Sequence, residues 1–275
     1  MISKIITKRI KPKDYHGVRK KILKYVLLVV FGGSVIAGTN HVLYAYFSNS
    51  EFFRVTSINI QGGGKISKEE ILEASGINIH TNILALDADA VQQKLCRNGW
   101  IESVIISKDW PSSLELTVTE RVPVAMIEQW GNLYYTDRKG VVFAKVANGE
   151  DLDFPVISGL MTNAEAEKDC RLIMQSINLA GLKTALSLID YSRVINSALP
   201  RQNISQIHVT ATDEIQLFLA NKPFPIYLKS NDINTQYHRL AKVLDWLYRK
   251  KEFEKTAYIY VGYNGDKVLV GKTNA

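Results

Sequence analysis

From Tyr25 to Phe47 the chain runs 23 residues, YVLLVVFGGSVIAGTNHVLYAYF, without a Lys, Arg, Asp or Glu. At about 1.5 Å of rise per residue a helix of that length covers roughly 34 Å, enough to cross a hydrocarbon core about 30 Å thick. The segment just before it is strongly basic. Residues 1–24 hold nine Lys and Arg (Lys4, Lys8, Arg9, Lys11, Lys13, Arg19, Lys20, Lys21, Lys24) against one acid, Asp14. The other 251 residues hold 25 basic and 26 acidic side chains, so the formal charge of +7 belongs to the tail and not to a folded surface. A nucleic-acid-binding face is therefore not expected. A basic flank on one side, with Tyr44, Tyr46 and Phe47 at the other, predicts a transmembrane helix over 25–47 with residues 1–24 cytoplasmic and the rest outside. The tail reads as a topology signal rather than a ligand site, and Asn40 and His41 read as interfacial.

A cleaved secretory signal is the competing reading, with Val26–Ala37 as its apolar stretch and Val35-Ile36-Ala37 before the cut. The long basic region and the continuation of the apolar run past Ala37 to Phe47 favour the crossing.

Beyond the helix lie about 228 residues of globular composition, with 46% hydrophobic and 22% charged residues chain-wide. Val55–Ile60 alternates like a strand and ends at Gly62-Gly63-Gly64. Ser67 and Glu70 form a capping box for a helix over Lys68–Ala74, closed by Gly76. Asp87 caps a second helix carrying Val91 and Leu95 and stopped by Gly99. Two strands follow, Val104–Lys108 and Leu114–Thr119, around the turn Asp109-Trp110-Pro111-Ser112. The order is β-α-α-β-β.

Three strings in this stretch carry a resemblance. Phe52-Phe53-Arg54-Val55, Lys108-Asp109-Trp110-Pro111 and Glu120-Arg121-Val122-Pro123-Val124-Ala125 stand in the order and spacing of a POTRA domain of the FtsQ/DivIB family of bacterial cell division proteins. The last string is the most specific. Downstream, Trp130-Gly131 through Tyr134, Tyr135, Asp137 and Gly140–Phe143, and then Phe154-Pro155-Val156-Ile157-Ser158-Gly159, resemble the family's next segments. A helix over Ala164–Ala180, strands through Ile204, Ile207 and Val209 and through Ile215, Leu217 and Leu219, and a helix over Asp232–Arg249 complete the pattern. The chain closes on strands Tyr258–Val261 and Lys267–Val270 around an Asn264-Gly265 turn. Family members often carry Arg before the Tyr of this hairpin and an aromatic residue after its last strand, where this chain has Gly262 and Lys272.

The expected fold is α+β. It comprises a tail (1–24), one transmembrane helix (25–47), a POTRA-like domain (52–125) and a β-rich domain (126–271) with helices packed on an antiparallel sheet.

Motifs for chemistry are sparse. The five histidines (His16, His41, His80, His208, His238) show neither HExxH nor zinc spacing. The triple glycine matches no phosphate-binding pattern, and Ser112-Ser113 has no base nearby in sequence. Glu115, Glu120 and Asp137 form no acid/base pair. Cys96 and Cys170 read as separate buried thiols. No catalysis, metal or cofactor is expected.

The resemblance implies a scaffold that binds the small single-pass division proteins FtsB and FtsL by strand addition at the C-terminal region, at the septum of the inner membrane. The residues this implies are Tyr263, Gly265, Lys267, Val268, Leu269 and Val270. An open terminal strand can supply main-chain affinity and side-chain selectivity. A second expected interface is the edge around Val55, Ile58 and Ile60 with Trp110, although Trp110 also reads as plain packing. A POTRA-bearing translocation component is the alternative, set against the N-terminal anchor and the absence of a run of barrel strands.

Overall fold

The computed structural model describes residues 15–48, 50–150, 153–160, 177–193, 203–212, 214–263, 265 and 267–273. Helix α1 (Tyr15–Ser48) runs further back than the apolar stretch, into the basic segment. Within it, Lys24–Ser48 is the one stretch among the described residues long and apolar enough to cross a membrane, and its window is unburied. The last carbonyls of a helix have no partner inside it. Here Asn82 Nδ2 donates to Phe47 O and Ser50 O, each at 3.2 Å.

A β-α-α-β-β module follows: β1 (Ser57–Gln61), α2 (Lys68–Ser75), α3 (Ala88–Leu95), β2 (Ile101–Asp109) and β3 (Ser113–Glu120). Both helices start where the sequence indicates, and α2 also stops there, whereas α3 ends at Leu95, short of Gly99. Ala90 N–H donates to Asp87 Oδ1 at 3.1 Å, and Gly76, at φ +74°, closes α2 through its N–H to Leu72 O at 3.2 Å. Strands β2 and β3 are longer than the alternation alone predicts, whereas β1 is shifted and starts at Ser57 rather than Val55. Val55 instead bonds sideways, its N–H to Thr81 O at 2.9 Å. The sheet order is β1-β3-β2, with β1 parallel to β3 from Ser57↔Ser113 to Gln61↔Thr117. The Trp110–Pro111 peptide between β2 and β3 is cis.

The second sheet has nine strands in the order β12-β11-β10-β9-β8-β7-β4-β5-β6. They are β4 (Pro123–Gln129), β5 (Asn132–Asp137), β6 (Val142–Lys145), β7 (Val156–Ser158), β8 (Ile204–Val209), β9 (Glu214–Leu219), β10 (Ile226–Lys229), β11 (Thr256–Tyr263) and β12 (Lys267–Lys272). Helices α4 (Leu179–Tyr191) and α5 (Ile233–Arg249) share one core with it, in which Leu182, Ala185, Leu240 and Leu244 join Ile207, Leu217, Ile226 and Ile259.

The sheet is mixed, not purely antiparallel: β4–β7, β7–β8 and β10–β11 are parallel. A parallel neighbour needs a crossover long enough to return the chain, typically a helix. α4 lies between β7 and β8, and α5 between β10 and β11.

Two elements differ from the sequence reading. The helix expected over Ala164–Ala180 lies mostly outside the described residues; α4, over Leu179–Tyr191, is a further helix that the sequence reading does not include. Asn178 caps it, accepting from Gly181 N–H at 2.9 Å. Gly181 sits inside the first turn, where a Cβ would fall 2.8 Å from Val209 Cγ1. Strand β10 was not expected, since Pro223 and Pro225 make its flank read as a loop. Strand β3 ends at Glu120, and Pro123 opens β4 opposite Asp137.

The chain separates into two compact units, the first holding residues 1–61, 68–92 and 105–117, the second holding 62–67, 93–104 and 118–275. The second unit thus includes one end of the three-stranded sheet.

Candidate partner-binding edge

Strand β12 ends the nine-stranded sheet and, among the described residues, pairs with β11 alone. Its register runs Tyr258↔Gly271, Ile259↔Val270, Tyr260↔Leu269 and Val261↔Val268, between two β-bulges. The backbone direction of each residue follows from one bond. Ile259 N–H donates to Pro225 O at 3.1 Å, toward β10. The N–H and C=O of a strand residue point to the same side, and antiparallel neighbours alternate between bonded and non-bonded pairs. Ile259 and Val261 therefore turn to β10, and their partners Val270 and Val268 turn their N–H and C=O groups outward. Leu269 turns its own to β11.

The side chains divide the other way. Val268 and Val270 pack against the core opposite Ile259 and Val261, whereas Leu269 is 38% exposed on the outer face. Lys267, Tyr263 and Gly265 are exposed beside it. The expected residues are thus brought together, with the valines offering backbone to a neighbour and Leu269 and Lys267 offering side chains.

Sequence reasoning missed what lies next to them. Tyr227 on β10 stacks on Tyr260 at 5.6 Å and 24°, and Tyr260 lies 6.1 Å from Tyr263. The hydroxyl of Tyr260 donates to Glu214 Oε1 at 2.8 Å, and that bond, with burial, raises the phenol above its ordinary pKa. Tyr258 covers Gly271, where a Cβ would fall 2.1 Å from its ring. Gly262, at φ +77°, sits at the second bulge with a Cβ position 3.0 Å from Gln236 Nε2, so a glycine stands there for backbone reasons. The alternation of Tyr258 and Tyr260 was legible. Tyr227 was not, because β10 was not.

The second expected interface is divided by the fold. Val55 and Ile60 are buried and Ile58 half-buried, so their side chains belong to the core. Thr56 N–H bonds Ser112 O at 2.8 Å, bringing the β2–β3 turn beside β1, and Trp110 is 53% exposed there. Cys96 is a half-buried free thiol, and Cys170 lies outside the described residues.

The Glu-Arg-x-Pro-Val-Ala string is structural. Glu120 accepts from the N–H groups of Gly64, Lys65 and Ile66 at 2.9–3.1 Å. Burial opposes its ionisation, but those bonds outweigh it and hold the carboxyl below its ordinary pKa. Arg121 pairs with Asp137 at 2.8 Å. Nearby, Trp100 packs on Tyr135 and Phe143 at 5.4 and 5.1 Å, with Lys65 Nζ over its ring at 5.0 Å.

A membrane-length helix, a β-α-α-β-β module and a mixed sheet whose final strand pairs on one side among the described residues define a protein of the POTRA-bearing class. Residues 53–121 match the family model for the POTRA domain, FtsQ-type, and residues 125–260 that for cell division protein FtsQ/DivIB, C-terminal. A cell division protein FtsQ from Geobacter sp. (strain M21) is 30% identical over 91% of this chain and 89% of its own length. Another, from Syntrophotalea carbinolica, is 32% identical over 72% of this chain and 67% of its own. The major extracytoplasmic domain of the trans isomer of DivIB from Geobacillus stearothermophilus overlays 48% of this chain and 97% of that one at 13% identity, with a TM-score of 0.29. The chain belongs to the FtsQ/DivIB family of bacterial cell division proteins, and the one membrane-length apolar helix among the described residues fits a single-pass membrane protein.

Proposed function

We propose that this protein is a non-catalytic scaffold of the cell-division complex that recruits FtsB- and FtsL-like single-pass partners and links them to septal peptidoglycan synthesis. In this reading residues 1–24 are cytoplasmic, 25–47 cross the inner membrane, and a POTRA-like domain (52–125) and a β-rich domain (126–271) stand outside it at the septum. The observation that carries the reading is the β12 edge, where Val268 and Val270 turn main-chain groups outward that no strand among the described residues pairs, beside exposed Leu269 and Lys267. A partner segment laid along this edge as a tenth strand gains a hydrogen-bond ladder, and its side chains meet the two valines on one face and Leu269 on the other.

The opposite end of the sheet is a poorer template. Strand β6 is four residues long and its pairing with β5 is interrupted by a register shift.

The test is photo-crosslinking in dividing cells from a probe at Leu269, whose side chain points outward, followed by mass spectrometry of the captured protein. Capture of a small single-pass division protein is the expected outcome. Efficient capture from a probe on the β1–Trp110 side, with silence at Leu269, moves the interface off the terminal strand.

A further inference from the structure

The base of the first unit carries an aromatic cluster that the β12 edge does not use. On the last turn of α1, Tyr46 and Phe47 meet with ring centroids 5.7 Å apart. Phe53 stands edge-on to Phe47 at 5.9 Å, to Phe52 at 5.1 Å and to Trp110 at 6.0 Å. The rings face outward: Tyr46, Phe52 and Trp110 are 73%, 67% and 53% exposed. Contiguous exposed side chains of this size mark a contact surface.

The cluster is fixed to the end of α1 and not left to swing. Asn82 ties Phe47 O and Ser50 O to the loop ahead of α3. Thr56 N–H bonds Ser112 O and Thr56 Oγ1 donates to Ser112 Oγ at 3.0 Å, which holds the Trp110 turn against the segment that follows Phe53. Ile83 N–H donates to Phe53 O at 2.8 Å, fixing Phe53 from the other side. Trp110 is therefore no more than two ring spacings from Phe47.

That geometry names the occupant. Where α1 crosses the bilayer, its far hydrocarbon boundary falls at the Tyr44–Phe47 turn, and the headgroup layer beyond it is about 5–7 Å thick. Phe53, 5.9 Å from Phe47, falls within the depth of that layer, and Phe52 and Trp110, 5.1 and 6.0 Å further on, stand in it or at its outer margin. Indole has an apolar body and a polar N–H and gains most at such a boundary, which is why Trp and Tyr collect there. The rings also continue the lipid-facing end of α1 without a break, so a protein seated on them would have to displace lipid from the helix.

We propose that the Phe52–Trp110 face of the first unit is a lipid-interface anchor, seating Phe52 and Trp110 among the headgroups and holding this unit against the bilayer. The proposal rests on the reading of α1 as the membrane crossing.

The test uses the full chain reconstituted in phosphatidylcholine vesicles, either plain or carrying bromine atoms high on the acyl chains, with tryptophan emission as the readout. The chain has four tryptophans. Brominated lipid should quench part of the emission, and Trp110→Phe, which keeps a ring in the cluster, should remove most of that quenching. Trp246→Phe, at an exposed position in the second unit, should leave it intact. Carbonate extraction of the same vesicles separates the two ways of failing. Protein that resists extraction but is unquenched, or is quenched equally with Phe at 110, overturns the anchor and leaves the crossing standing. Protein released by carbonate overturns both.

Discussion

Glu120 concentrates on one carboxylate what the most specific string in the sequence is for. A carboxylate that accepts several backbone N–H bonds is favoured in its charged form, and such charge-assisted bonds exceed neutral ones in strength. Replacing Glu120 by Gln removes the charge and one strong acceptor, which should cost about 1–2 kcal/mol of local stability near neutral pH. Hydrogen exchange at Gly64, Lys65 and Ile66 reads this as a loss of protection of roughly 5–30-fold. The sign with pH follows from the direction of the shift. The folded carboxyl lies below its ordinary value, so its contribution is fully present above an unfolded pKa of about 4.3 and disappears as pH falls through the lower folded value. The difference between wild type and Glu120→Gln should therefore be constant above about pH 5 and shrink in more acidic solution. A constant gap down to acid pH would refute the ionic account. The string itself was legible, but its role was not, because its partners lie more than fifty residues earlier in the chain. The same holds for Gly99, where a Cβ would fall 1.7 Å from Phe143 O.

At the scale of elements, the reliable signals were those that local chemistry alone decides. Capped helices such as α3 and alternating pairs such as β8 and β9 appear where expected. Elements whose limits depend on distant contacts were missed: β10 behind its two prolines, and α4 with a close-packed glycine in its first turn. Even the spacing of Ile204 and Ile207, wrong for a plain strand yet both buried, becomes intelligible through the bulge between Ile204 and Gln206. The β12 edge allows a test in which neighbouring positions act oppositely. Val268 turns its N–H outward, so Val268→Pro removes a donor offered to a partner and no bond to β11. Leu269 turns its N–H inward, so Leu269→Pro removes a ladder bond to β11 and leaves its acceptor unsatisfied, at a cost of about 1–3 kcal/mol. Partner recruitment should be lost in both. The midpoint of urea unfolding should fall sharply only for Leu269→Pro. Normal recruitment by Val268→Pro removes this edge from the model.

For the molecule as a whole, the asymmetry of charge along the chain and the continuity of α1 bear on one question, which side of the membrane holds the two units. Nine basic residues precede the apolar run, and the remaining chain is close to neutral. Helix α1 carries that basic segment directly into the crossing without a break between Tyr15 and Ser48. A cleaved signal would part this helix near Ala37 and shed the tail, whereas an uncleaved anchor keeps it. The intact mass of the membrane-extracted protein should therefore include residues 1–37, and a species beginning at Gly38 would replace the anchor with a leader. Orientation should depend on the cluster next to the span, since Lys and Arg within about 15–20 residues of a helix end set topology. Changing Arg19, Lys20, Lys21 and Lys24 to Ser should leave insertion intact, because the apolar run is untouched, while a fraction of the chains inverts. Protease added outside spheroplasts reads this directly: it digests residues beyond 48 in wild type and spares a protected fraction in the quadruple variant. Complete digestion in both would mean that the folded units, and not the tail, decide the orientation.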